Sequence, residues 1–199
     1  MSRFDPIDEL VFETDCSGSI VAVGENSWNS FASENGAPEL SADAVVGRNL
    51  FSFIEGAQVR DQIRQILERI SHHPNWAWVL PFRCDAPERQ RNICQTIQPV
   101  FQDHICTGFI FHSEYQASRQ RPPISLYDFK RLKKLAMENR DLLNVIMCSW
   151  CQRVQSSQIA EGSWISAENY YAEGGRSDVR LSHGICEECR EAVLEPRPT

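Results

Sequence analysis

Along the 199-residue chain, hydrophobic and polar positions alternate between two periods, and the changes of period mark the elements. Residues 10–15 (LVFETD) and 20–23 (IVAV) are short apolar runs joined by Asp15-Cys16-Ser17-Gly18, which predicts a β-hairpin. Residues 26–36 (NSWNSFASENG) move to helical spacing. Trp28, Phe31 and Ala32 fall at i, i+3 and i+4, Asn26 or Ser27 can cap the start, and Gly36 can end the helix. A further helical turn falls within 41–54. A longer helix over about 57–72 carries Val59, Ile63, Ile66, Leu67 and Ile70 on one face, and Pro74 opposes its continuation. Strand-like runs return at 76–82, 93–100 and 105–111, with turns near Asp85-Ala86-Pro87 and Gln102-Asp103-His104. The order is strand, strand, small helices, longer helix, three strands. It predicts an α+β domain over residues 5–115, with one antiparallel sheet of five strands and helices on one face.

Residues 116–125 begin QASRQRPP and predict a linker. An amphipathic connecting helix is expected over 126–147. Ser125 and Asp128 give a capping signal, and Phe129, Leu132, Ala136, Leu143 and Ile146 fall largely on one face. The other face carries Lys130, Arg131, Lys133, Lys134 and Arg140, and the helix would lead straight into Cys148.

Cysteine spacing changes the picture of the last quarter, residues 148–194. Cys148 and Cys151 form one C-x-x-C, Cys186 and Cys189 a second, and 34 residues separate the pairs. Two such knuckles place two thiolates on each side of a tetrahedral metal, so one zinc ion per chain is the first reading. An iron–sulfur cluster and unmetallated redox thiols are the alternatives. Metal binding supplies folding free energy, so this unit needs only a minimal core, for which Trp164, Ile165, Tyr170 and Tyr171 are candidates, with a short helix within 164–172. Gly184 is expected to supply a positive-φ knuckle. His183 is read as a group that hydrogen-bonds or packs beside the sulfurs, with a ligand in place of one cysteine as the alternative, and Arg153 and Arg190 as cations that offset the thiolate charge. The remaining cysteines, Cys16, Cys84, Cys94 and Cys106, are read as small apolar residues on strands.

Charge and composition exclude several functions. Net charge is −7, distributed as −8 over residues 1–116, +5 over 117–155 and −4 over 156–199. The acidic ends argue against nucleic acid as the main partner, while the basic middle keeps a nucleic-acid-binding regulator as the alternative. No run of about 18 apolar residues or secretory signal at Met1–Asp5 is visible, so a cytoplasmic setting with reduced thiols is expected. Nucleotide-binding, hydrolase, zinc-protease and deaminase motifs are missing, so the chain is expected not to be an enzyme.

Two resemblances follow from these residues. ELVFETDCSGSIVAV, NSWNSFASENG, VVGRNLFSFI and the arginine-bearing turn PFRCDAPERQR resemble the successive segments of a PAS domain. MCSWCQRV, a tryptophan segment and LSHGICEEC resemble a cysteine module found after sensor domains in many bacterial signalling proteins, matched by Cys148, Trp150, Cys151, Trp164, Ser182, His183, Gly184, Cys186 and Cys189. Together they imply a signal-transduction protein that acts as a homodimer or on another signalling protein. A PAS pocket for a small molecule would be lined by Trp28, Phe31, Phe51, Phe53, Trp76, Trp78 and Phe109, although these aromatics also serve as an ordinary core. Haem would need an axial histidine from among His72, His73, His104 and His112. The cysteine of flavin-binding PAS domains has no counterpart.

Overall fold

The computed structural model describes residues 9–157 and 162–194. Residues 5–8 of the expected sensor unit, and the Met1–Asp5 segment read for a signal, lie outside the described residues. Two strands, β1 (Glu9–Asp15) and β2 (Ile20–Val23), open the chain. Helices α1 (Glu25–Glu34), α2 (Ala42–Val45) and α3 (Ala57–Ile70) follow. Three strands, β3 (Trp78–Arg83), β4 (Arg89–Gln102) and β5 (Ile105–Gln120), complete a five-stranded sheet in the order β2-β1-β5-β4-β3, with every neighbour antiparallel. The α+β architecture expected from the sequence is therefore the one observed.

Local chemistry accounts for the turns. Asp15 Oδ1 accepts from the backbone N–H groups of Ser17 (2.9 Å) and Ser19 (2.8 Å), which closes the first hairpin with Gly18 at φ 85°. Asp103 and His104 both adopt positive φ (49° and 65°), the two-residue turn whose twist matches a long antiparallel ribbon. All five apolar residues predicted for α3 are buried, and they pack with Trp78, Leu80, Ile97, Phe109 and Phe111 of the sheet. At about 1.5–3 kcal/mol for each large apolar side chain removed from water, this face is the main source of stability for the unit. Most of the aromatics considered as a pocket lining are core or pack on it. Phe31 and Phe53 are partly buried outside it, and Trp76 is 44% exposed and stacked on His73 with ring centroids 3.7 Å apart.

Three expectations need correction. Residues 116–120 of the expected linker continue β5, because β4 extends to meet them; Gln90 pairs with Arg119 and Arg91 with Ser118. The connecting helix is shorter than 126–147. It is α4 (Phe129–Glu138), capped by Asp128 accepting from Arg131 N–H (3.0 Å) and ended by Asn139 in extended geometry. Residues 143–148 instead form β6 (Leu143–Cys148), in which buried Val145 and Met147 alternate with exposed Asn144 and Ile146. That period of two was overridden by the helical spacing of Leu143 and Ile146. Finally, the C-terminal region has a real core. β6 pairs with β7 (Val154–Ser156) and, in parallel, with β8 (Val179–Gly184). Leu126, Tyr127, Leu132, Val145, Met147, Val154, Ala167, Tyr170 and Val179 are buried together beneath this second sheet. The predicted short helix is present as α5 (Ala167–Ala172), and α6 (Glu187–Leu194) ends the described chain.

Among the described residues, no helix is long and apolar enough to cross a membrane.

Candidate metal centre

β6 delivers Cys148 at its last residue, and β8 delivers its partner knuckle at the parallel end, because Cys148 pairs with Gly184 in the ladder. The turn after Cys148 carries Cys151. The turn after Gly184 carries Cys186, and the first turn of α6 carries Cys189. The four sulfurs lie within 4.8 Å of one another, so this group can hold a metal ion. Cys151 Sγ and Cys186 Sγ are 3.7 Å apart. The edge of a tetrahedron with zinc–sulfur bonds of about 2.3 Å is about 3.8 Å. A disulfide needs about 2.05 Å, so the spacing is that of ligands around a shared cation and not of a bonded pair. Cys148 (0% exposed) and Cys186 (1%) form the inner side, and Cys151 and Cys189 the half-buried outer side.

The surroundings suit a thiolate cluster. Arg153 donates from Nε to Cys151 Sγ (3.4 Å) and from Nη2 to Cys186 Sγ (3.4 Å), and its guanidinium also binds Glu188. Cys186 N–H points at Cys148 Sγ (3.5 Å). Hydrogen bonds from the Cys148 and Cys189 thiols, then from Arg153, hold Cys151 well below the usual thiol range. Cys148 is pushed up chiefly by its hydrogen bond to Cys151, and Cys189 chiefly by its hydrogen bond to Cys148. A divalent cation bound here would take the place of the thiol protons. Of the two predicted counter-cations, Arg153 is in place and Arg190 is exposed on α6.

The positive-φ residue of the knuckle is not Gly184, which lies in regular β8, but Gln152, with φ 57°. Gln152 N–H closes the first knuckle on Cys148 O (2.9 Å). Its buried side chain then reaches out of the unit, accepting from Asp85 N–H (3.3 Å) and donating to Arg83 O (3.1 Å). Nothing in the sequence marked this residue, because glutamine rarely takes left-handed geometry and only the tertiary contacts hold it there.

Gln152 is one of several ties between the centre and the five-stranded sheet. Arg83 N–H donates to Trp150 O (2.7 Å), so the knuckle pairs with the outer edge of β3, the strand at that end of the sheet. Trp78 Nε1 donates to Val193 O (3.0 Å) on α6. The Asp85 carboxylate, fully buried, accepts from Arg83, from Arg121 Nη1 (2.8 Å) and from Arg91 N–H (3.1 Å). Arg121, expected in a solvated linker, is buried with its guanidinium 4.3 Å above the Tyr127 ring. Burial, foremost, pushes the Tyr127 hydroxyl up to about 12. Cys148, Trp150, Ile185, Cys186 and Val193 accordingly belong to the same core as α3 and the sheet.

The histidines lie apart from the sulfurs. His183 Nδ1 meets Glu55 Oε2 at 3.1 Å, His72 Nε2 meets Glu68 Oε1 at 3.1 Å, and His112 Nε2 meets Glu9 Oε2 at 2.7 Å. His104 occupies the β4–β5 turn. Of the other cysteines, Cys94 and Cys106 are on strands as expected, whereas Cys16 is in the first hairpin turn and Cys84 follows β3.

No family model and no curated protein matches the chain. Among solved structures it is similar to the PAS domain of Bordetella pertussis BvgS, at 14% identity over 68% of this chain and 92% of that one, with a TM-score of 0.43. A domain of an HTR-like protein from Haloarcula marismortui ATCC 43049 matches at 19% identity over 56% of this chain and all of that one (TM-score 0.36). The PAS domain of a Colwellia psychrerythraea protein matches at 14% identity over 56% and 89% (TM-score 0.39).

Proposed function

We propose that this protein is a non-catalytic signalling adaptor of the reducing cytoplasm, in which a PAS-like sensory unit is joined to a zinc-structured cysteine module that engages another signalling protein or a second copy of the chain. The observation that carries the reading is the shared core. The sulfur cluster is tied to β3 through Trp150, Gln152 and the buried Asp85 network, so a change in the sheet is transmitted to the module without a flexible hinge. Zinc is held by Cys148, Cys151, Cys186 and Cys189, and with all four positions filled by thiolates it supplies structure and leaves no open site for chemistry. The geometry supports this reading over a nucleic-acid regulator. Of the cations in the basic middle, Arg121, Arg131 and Arg153 are committed to carboxylates within the protein.

Metal analysis of protein purified without added metal tests the first half. One zinc per chain and no visible absorbance are expected; iron with visible bands, or no metal, overturns it. Sedimentation and co-purification test the second half. Self-association or a defined partner lost on chelation is expected, whereas a monomer with no partner from its own cells removes the basis of the adaptor reading.

A further inference from the structure

We propose that the cleft between the sensory unit and the cysteine module binds a small amphiphilic carboxylate, with its headgroup at Lys133 and His183 and its apolar tail against Phe53, Ile54, Phe129 and Leu132. This names the class of signal for the sensor proposed above, and in that sense rests on that reading. The cleft measures about 460 Å³, within the range of small-molecule sites, and lies at a junction of units where such sites concentrate. Three segments meet around it: the stretch before α3, the first turns of α4, and β8.

Its polar groups are few and convergent. Lys133 makes no ion pair among the described residues, whereas its neighbours on α4, Arg131 and Lys134, are paired with Asp178 and Glu138. His183 turns Nδ1 to Glu55, which fixes the ring and leaves Nε2 for a ligand. Lys133 and His183 line the same cleft, and with Glu55 turned to the ring the Lys133 ammonium is the charged donor left for a ligand carboxylate. The tail side is apolar. Phe129 stays 40% exposed, its ring centroid 5.9 Å from that of His183. A cationic ligand would meet the Lys133 ammonium, while Glu55, the carboxylate of the lining, is turned to His183. The cleft also touches the metal centre. Ser149, between Cys148 and Trp150, lines it and donates its N–H to Gly184 O (3.0 Å), so a ligand would sit against the first knuckle, whose backbone is bonded to the strand that leads to the second.

Calorimetric titration of the metal-loaded full chain with octanoate, 1-octanol and octylamine is the test. Saturable octanoate binding is expected, with 1-octanol about tenfold or more weaker and octylamine inert, the difference set by charge-assisted hydrogen bonds. Lys133→Met should weaken octanoate binding about tenfold and bring it level with 1-octanol, and Phe129→Asp should abolish it. Both residues are at the surface, and unchanged zinc content and circular dichroism verify folding; Lys133→Gln repeats the charge test with a polar side chain. Absence of saturable octanoate binding, equal binding of octanoate and 1-octanol, or binding that survives both variants would overturn the inference. Protein with one zinc per chain that ignores octanoate rejects the cleft and leaves the adaptor reading intact, whereas zinc-free protein rejects the adaptor reading by itself.

Discussion

The two sheets of this protein are held by opposite means. In the five-stranded sheet, β1–β2, β3–β4 and β4–β5 pair as local hairpins, and the long-range pairing of β1 with β5 is closed over the apolar core beneath α3. In the three-stranded sheet, the central pairing is parallel and joins β6 to a strand that returns only after β7 and α5. Loop closure over such a distance costs entropy that a local hairpin avoids. Four cysteines gathered at the end of that parallel pair can offset the cost by metal binding. The comparison places the four cysteines where a bound metal would act as a clasp at the seam. A bound metal would close the three-stranded sheet, while the knuckles already fill the core of the five-stranded one.

The largest expected effect comes from opening the clasp. Cys148→Ser should abolish stoichiometric metal and lower stability by more than about 5 kcal/mol, since structural zinc binding is worth about 10–16 kcal/mol in small sites. Metal content and denaturant unfolding check it. Asp85→Ala comes next, because it leaves the Arg83 and Arg121 guanidiniums buried without their shared carboxylate. A loss of about 3–5 kcal/mol is expected with metal retained, read by thermal unfolding beside metal analysis. A loss of metal alone, with stability unchanged, would mean that the network serves the centre and not the seam.

A pH dependence of intermediate size follows from Tyr127. Its hydroxyl titrates near 10 in an unfolded chain and at about 12 here. The folded state therefore favours the neutral phenol. The contribution is fully present below pH 10 and disappears as pH rises from about 10 to 12, amounting to about 2 kcal/mol. Tyr127→Phe should flatten that limb of the stability curve, and an unchanged alkaline limb would contradict the assignment. The smallest effect is expected for Arg153→Gln. This side chain is partly exposed, so stability should change by about 1 kcal/mol or less. Losing a donor to two sulfurs should nevertheless lower metal affinity about tenfold, measurable by competition with a chelator.

The same contrast explains what could be read from the sequence. The first hairpin, α1, α3 and the turn at Asp103-His104 follow from local period and turn chemistry, although α1 starts at Glu25 behind Gly24 and not behind a cap at Asn26 or Ser27. The four cysteines were legible because two thiol pairs at this fixed spacing suit a shared ion. What escaped depends on partners far away in the chain. β6 alternates apolar and polar positions, but its parallel partner lies more than thirty residues downstream, and the helical spacing of Leu143 and Ile146 concealed it. Arg121 looked like linker because its carboxylate, Asp85, is 36 residues earlier. Gln152 carried no signal at all, since its left-handed backbone is held by contacts to Arg83 and Asp85 from another sheet.

Hydrogen exchange, followed residue by residue before and after metal removal from the full chain, tests the clasp most directly. Chelation should speed exchange at the knuckles and also at Arg83 and Asp85, whose N–H groups donate to Trp150 and Gln152, while β1 and α1 stay protected. Faster exchange confined to residues 143–194, with Arg83 and Asp85 as protected as before, would contradict the claim that the cysteine centre is part of the five-stranded sheet's core.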